Sequence, residues 1–111
     1  MGETPEGKVK KRVKEMLRNF GDDVYWCMPA TGGYGSSGVP DILVCAFGKF
    51  LAIECKAGNN TTTALQDSHL DHIRVAHGTG LIINEHNMDV LAVTLAAWKG
   101  EYERDASKPW A

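Results

Sequence analysis

The stretch Gly38-Val39-Pro40-Asp41-Ile42-Leu43-Val44-Cys45-Ala46-Phe47-Gly48-Lys49-Phe50-Leu51-Ala52-Ile53-Glu54-Cys55-Lys56 decides how this chain is read. Two apolar runs, Asp41 to Phe47 and Phe50 to Ala57, flank Gly48-Lys49, which is the composition of a hairpin with a tight turn. A two-residue loop at Gly48-Lys49 pairs Phe47 with Phe50, hence Leu43 with Glu54 and Asp41 with Lys56. Side chains alternate along a strand, so this register projects Asp41, Glu54 and Lys56 from one face. Ile42, Val44, Leu51, Ile53 and Cys55 then share the other face and point to a core. A loop of odd length would put Asp41 on the opposite face from Glu54 and Lys56.

Carboxylates and an ammonium group are costly inside a run that otherwise reads as buried sheet, unless something pairs with them. A divalent cation and a phosphate are the partners that suit this set. The plain alternative is a cross-strand Asp41–Lys56 ion pair on an exposed hairpin, worth only ~0–1 kcal/mol.

Outward from the hairpin, Thr4-Pro5 is a helix start, and Val9, Val13, Met16, Leu17 and Phe20 recur at helical spacing until Gly21. Glu6 shares the face of Val9 and Val13, where it either interacts with the helix N-terminus or serves a site. Val24 to Met28 reads as a strand closed by Pro29. Gly32 to Gly38 is a glycine- and serine-rich loop with no phosphate-loop lysine after it and no GxGxxG pattern. Thr61-Thr62-Thr63 caps a second helix running to about His77, with Gln66, Leu70 and Ile73 on one face. Thr79 to Asn84 is a further strand, and Asp89 to Trp98 a final helix. The order is α-β-β-β-α-β-α in a single domain over residues 1–111, with its core at about 4–98. A polar tail, 99–111, carries Trp110 as a docking anchor.

With 111 residues, 43% hydrophobic and 23% charged, the chain suits one modest globular core. Its apolar runs are too short to cross a bilayer, and Glu3, Pro5 and Glu6 stand where a signal peptide needs apolar residues. Cys27, Cys45 and Cys55 lie in strand-like segments without CxxC spacing and read as reduced core thiols, not as a zinc site. The net charge of −2 is unfavourable for binding nucleic acid. Against that, Lys8, Lys10, Lys11, Arg12, Lys14 and Arg18 concentrate in one segment of the first helix, opposed within that segment only by Glu15. His69 and His72, three apart beside Asp71, make no HExxH pattern, and hard-cation chemistry does not favour imidazole. Trp26, Trp98 and Trp110 suit core or interface positions better than base stacking.

Phosphodiester hydrolysis needs an attacking water, neutralised phosphate charge and an aligned leaving oxygen. Mg²⁺ or Mn²⁺ held by oxygen ligands serves these needs. Asp41 and Glu54 would each give a carboxylate oxygen, with the Cys55 backbone carbonyl beside them. Lys56 would orient or deprotonate the water, or bind the phosphate.

Gly38-Val39-Pro40-Asp41 with Glu54-Cys55-Lys56 resembles the PD-(D/E)xK nuclease superfamily and, within it, the virus-type replication-repair nuclease (VRR-NUC) domain. An early glutamate on the first helix, the glycine-rich run before Pro-Asp and a threonine-rich start to a glutamine-bearing helix extend the resemblance over roughly residues 4–95. It implies an α/β, restriction-endonuclease-like fold with a mixed central sheet flanked by helices. It also implies a Mg²⁺- or Mn²⁺-dependent DNA endonuclease. Carried over residue by residue, Asp41, Glu54 and the Cys55 carbonyl become metal ligands and Lys56 the catalytic lysine. Glu6 becomes an outer metal or water ligand, and Gln66 sits at the site's edge, where its plain alternative is an ordinary helix polar group.

Family members often carry basic residues in the loop before Pro-Asp, whereas this chain has Tyr34 and two serines. That leaves Gly35, Ser36 and Ser37 as neutral loop contacts and moves DNA grip toward Lys8, Lys11, Arg12, Lys49 or Arg74. Stand-alone domains of this type resemble homodimeric resolvases of branched DNA such as Holliday junctions, working in phage replication or repair in the cytoplasm of a bacterial or phage-infected cell. Cutting two strands symmetrically also calls for two sites on a two-fold axis. The rival readings are a monomeric nickase or flap-type nuclease, and a DNA-binding module without catalysis.

Overall fold

In the computed structural model, residues 3–30 and 37–105 are described. Helix α1 runs over Pro5–Asn19 and begins as the sequence predicts: the Thr4 Oγ1 accepts the Gly7 N–H at 3.0 Å and Pro5 occupies the first turn. Strands β1 (Val24–Cys27), β2 (Ile42–Ala46) and β3 (Lys49–Cys55) follow. Then come α2 (Ala64–Val75), β4 (Thr79–Ile83) and α3 (Met88–Arg104). The sheet is mixed, in the order β1-β2-β3-β4: β1, β2 and β3 are antiparallel, and α2 carries the chain across to β4, parallel to β3.

The hairpin keeps a two-residue loop but places it one position earlier than the sequence reading. Ala46 pairs with Lys49, Val44 with Leu51 and Ile42 with Ile53. The turn is therefore Phe47-Gly48, with φ of 53° and 81°. Positive φ at both central residues matches the right-handed twist of the strands, and Gly48 takes its share without steric cost. Phe47 tolerates the same region because its ring is buried between Phe20 and Tyr102. Shifting the loop by one residue in both strands keeps the parity of the pairing. Asp41, Glu54 and Lys56 still share a face, but continuing the ladder sets Asp41 across from Glu54, not from Lys56.

Ile42, Val44, Leu51, Ile53 and Cys55 face a core shared with Val9, Val13 and Leu17 of α1 and with Met88, Leu91 and Leu95 of α3. The helix α2 covers the β3–β4 half of the other face, where Leu70 is fully buried. This double cover buries every position of β3 from Leu51 to Cys55. Gly38 has φ 83°, and a Cβ there would lie 2.7 Å from the Leu65 backbone. Only glycine lets the segment leading to Pro40-Asp41 lie so close to the first turn of α2.

Two further expectations change. Of the cysteines only Cys55 is buried; Cys27 and Cys45 are exposed, because alternation sends them to the β1–β2 half of the face that α2 leaves uncovered. The final helix continues well past Trp98, and Tyr102 from the presumed tail packs on Phe47 at 5.9 Å. The fold accordingly continues past residue 98. Trp98 lies against the core, as does Trp26, with the Arg18 guanidinium 5.3 Å above the Trp26 ring. Trp110 lies outside the described residues.

Candidate metal centre at the open end of the hairpin

The ladder between β2 and β3 stops at Ile42–Ile53. The next hydrogen-bonded rung would join Cys55 to Pro40, and proline has no N–H to give. The Asp41 side chain substitutes on one side of that rung, its Oδ2 accepting the Cys55 N–H at 2.8 Å. The Cys55 carbonyl leaves the strand on the same edge as its N–H, so it points toward Asp41 without the donor a regular strand would supply. Cys55's thiol faces the core and is pushed up to about 12 by burial, aided by the nearby Asp41 carboxylate. It is a packed side chain and no nucleophile.

Glu54 is only 2% exposed. Its Oε2 accepts a hydrogen bond from Gln66 Nε2 at 2.9 Å and lies 3.6 Å from Lys56 Nζ. Its Oε1 is buried with no hydrogen-bond partner. Burial, with the Asp41 carboxylate adding to it, raises the Glu54 carboxyl to about 7, against the pull of Lys56. A buried carboxylate with one oxygen orphaned and a second carboxylate nearby is a costly arrangement that a bound cation would relieve.

Gln66 has two roles at once. Its Oε1 accepts the Thr63 N–H at 2.9 Å while Thr63 Oγ1 accepts the Gln66 N–H at 3.2 Å, a capping box that starts α2. The amide nitrogen left over by that cap is the one that holds Glu54. Next to Lys56, the turn is fixed by the Gly58 N–H donating to Glu85 Oε1 at 2.6 Å.

Glu6 reaches the cluster through an intermediary. Lys10 Nζ lies 3.5 Å from Glu6 Oε2 and 3.5 Å from Asp41 Oδ1. Partial burial works against the Lys10 charge, but the Asp41 and Glu6 carboxylates outweigh it and hold its pKa above the ordinary lysine value. In the sequence Lys10 is one of six basic residues between Lys8 and Arg18. The available signal was its spacing of four from Glu6, which puts both on one side of α1.

The structure thus brings together Glu6, Asp41, Glu54, Cys55, Lys56 and Gln66, with Lys10 added. Lys8, Lys11 and Arg12 are exposed on α1. Ser37 is tied to α2, its carbonyl accepting from His69 Nε2 at 3.0 Å, while Gly35, Ser36 and Tyr34 lie outside the described residues. Lys49 and Arg74 are not brought to the site. Lys49 is at the turn end of the hairpin beside Glu101, and Arg74, at the far end of α2, donates to the Gly80 carbonyl and pairs with Asp71.

Among the described residues no set of three or more His, Cys, Asp or Glu side chains forms a ready-made metal cage. A cation between Asp41 and Glu54 would draw on two carboxylates, the Cys55 carbonyl and solvent. That donor set suits Mg²⁺ or Mn²⁺, since Mg²⁺ commonly keeps several waters and takes one or two carboxylates. No described helix is long and apolar enough to cross a membrane. No family model matches the chain, and neither a curated protein nor a solved structure shows significant similarity to it.

Proposed function

We propose that this protein is a divalent-metal-dependent DNA endonuclease with a restriction-endonuclease-like fold of the VRR-NUC type. The observation that carries this reading is Glu54: a fully buried carboxylate with one oxygen unpartnered, across the ladder from Asp41 and beside Lys56. A plain surface ion pair would need none of that burial. Asp41, Glu54 and the Cys55 carbonyl would hold Mg²⁺ or Mn²⁺, which when bound activates water and offsets charge on a phosphate. Gln66 fixes the rotamer of Glu54. Asp41, anchored on the Cys55 N–H, keeps its Oδ1 directed toward α1. Lys56, whose side chain is 12% exposed, presents its ammonium at the mouth of the site, where it orients the attacking water or the scissile phosphate.

Branched DNA is the substrate class this reading favours, cut by a homodimer that supplies two sites. The test is a cleavage panel of four-way junction, flap, duplex and single strand with Mg²⁺ and Mn²⁺. Wild type is expected to cut the junction, and Asp41→Ala to lose at least roughly 10³-fold in rate, in the range that loss of a metal and its activated water implies. Uncut substrates in every lane with wild type would overturn the proposal. Binding without cutting, indifferent to Lys56→Ala, would favour a non-catalytic module. Flap cutting by a monomer in gel filtration would favour the nickase or flap-type reading.

A further inference from the structure

Lys10 occupies a peculiar place for a residue on a solvated basic helix. Its ammonium sits between Glu6 and Asp41 at 3.5 Å from each, against the oxygen of Asp41 that the Cys55 N–H does not use. Both distances exceed the roughly 2.7–2.9 Å of a tight charge-assisted hydrogen bond, so electrostatics holds the group there without locking its geometry. A cation entering between Asp41 and Glu54 meets this positive charge on its first ligand. Lysine's flexible stem allows the ammonium to leave toward the exposed side of α1, where Lys8 and Lys11 already lie.

We propose that Lys10 is a built-in counter-ion that competes with the divalent cation for Asp41 and, once displaced, is taken up by a phosphate of the DNA. The idea rests on the nuclease reading above and adds to it a coupling between two ligands. With Glu54 ionised, the carboxylates of Glu6, Asp41 and Glu54 face the ammonium groups of Lys10 and Lys56, leaving one negative charge in excess. A divalent cation turns this into one positive charge in excess, and a phosphodiester monoanion restores neutrality. Without Lys10 the cation alone would neutralise the cluster, leaving only the cation's own contact with the phosphate to couple the two ligands. Metal and DNA should therefore strengthen each other's binding through Lys10, by the same factor in both directions.

The experiment is Mn²⁺ titration at pH 8, read by the EPR signal of free Mn²⁺, with and without a saturating four-way junction made of phosphorothioate strands. For wild type, DNA is expected to tighten Mn²⁺ binding by about tenfold or more, the order of effect that one nearby unit charge exerts at a partly solvated site. Lys10→Gln and Lys10→Met, which keeps the stem, should bind Mn²⁺ alone about tenfold more tightly than wild type and lose most of the gain from DNA. Lys10→Arg should keep the wild-type pattern. A damaged fold can only loosen metal binding, so tightening separates this role from a structural one. The proposal falls if folded Lys10→Gln binds Mn²⁺ no tighter than wild type while Asp41→Asn abolishes binding. If Asp41→Asn leaves Mn²⁺ binding unchanged, the metal is not at Asp41 and the nuclease reading falls with it.

Discussion

At its closed end the β2–β3 hairpin turns through Phe47 and Gly48, and Phe47 packs against Phe20 at 6.2 Å and Tyr102 at 5.9 Å. At its open end, roughly 17 Å away by the rise of five strand residues, the same two strands present Asp41 and Glu54, with Glu6, Lys10 and Lys56 around them. The closed end needs nothing beyond the chain itself: its torsions are those of a tight turn and its large side chain is apolar. The open end carries a buried carboxylate with an unpartnered oxygen. One end is arranged for folding, the other at the expense of folding, and groups that oppose stability while held by specific partners are where function is to be sought.

The largest effect on stability should therefore come from the closed end. Removing the ring in Phe47→Ala leaves a cavity between α1 and α3 and keeps a side chain at positive φ, and should cost about 3–5 kcal/mol. Urea unfolding measures this. Mn²⁺ affinity per folded molecule should stay at the wild-type value, since none of the proposed ligands lies at that end. A cost below about 1 kcal/mol, or a changed metal affinity, would break the division between the ends.

An opposite sign is expected at the open end. Glu54 is raised to about 7 in the folded protein from an ordinary value of 4.5. The folded state therefore holds the Glu54 proton more firmly than the unfolded chain does. Its contribution to stability is fully present below about pH 4.5 and is lost as pH rises through about 7. In EDTA at pH 8, Glu54→Gln should accordingly be more stable than wild type by on the order of 2 kcal/mol and melt at a higher temperature, with the difference shrinking toward pH 4. Metal binding should run the other way, strengthening as pH rises through about 7 and the carboxyl ionises. Thermal melts of both proteins from pH 4 to 8 test the sign, and a Gln variant less stable at pH 8 would reverse it.

The difference between the two ends also governs what could be read from the sequence. The acid–acid–lysine set on one strand face was legible because alternation has a period of two and survives a shift of the turn. The turn's position was not. Gly48-Lys49 and Phe47-Gly48 are both possible two-residue loops, and the choice falls to burial of the Phe47 ring between α1 and α3, a tertiary effect. The exposure of Cys27 and Cys45 was missed for a related reason: strand residues look alike until it is known which half of a face α2 covers. The extension of α3 past Trp98 depended on Tyr102 finding Phe47. Lys10 escaped notice because a basic helix offers many lysines, and only Asp41, distant in sequence, distinguishes this one.

The smallest effect tests whether the division extends to DNA. Lys49 is basic, exposed and on the same hairpin, so from sequence it is as good a phosphate ligand as any lysine on α1. In the fold it stands at the closed end, 3.5 Å from Glu101, so its charge is already partly offset and it lies away from the carboxylates. An exposed pair of this kind contributes ~0–0.5 kcal/mol, and Lys49→Ala should leave the unfolding midpoint nearly unchanged. The sharper measurement is the dependence of junction affinity on salt. Each lysine contact with phosphate steepens the slope of log K against log salt by about 0.9. Lys49→Ala is expected to leave that slope at the wild-type value, whereas a variant that removes a lysine bound to phosphate flattens it by about one. A flattening of that size for Lys49→Ala would mean that DNA runs the length of the hairpin. The closed end would then belong to the binding surface, and its apolar packing would position a phosphate contact as well as the fold.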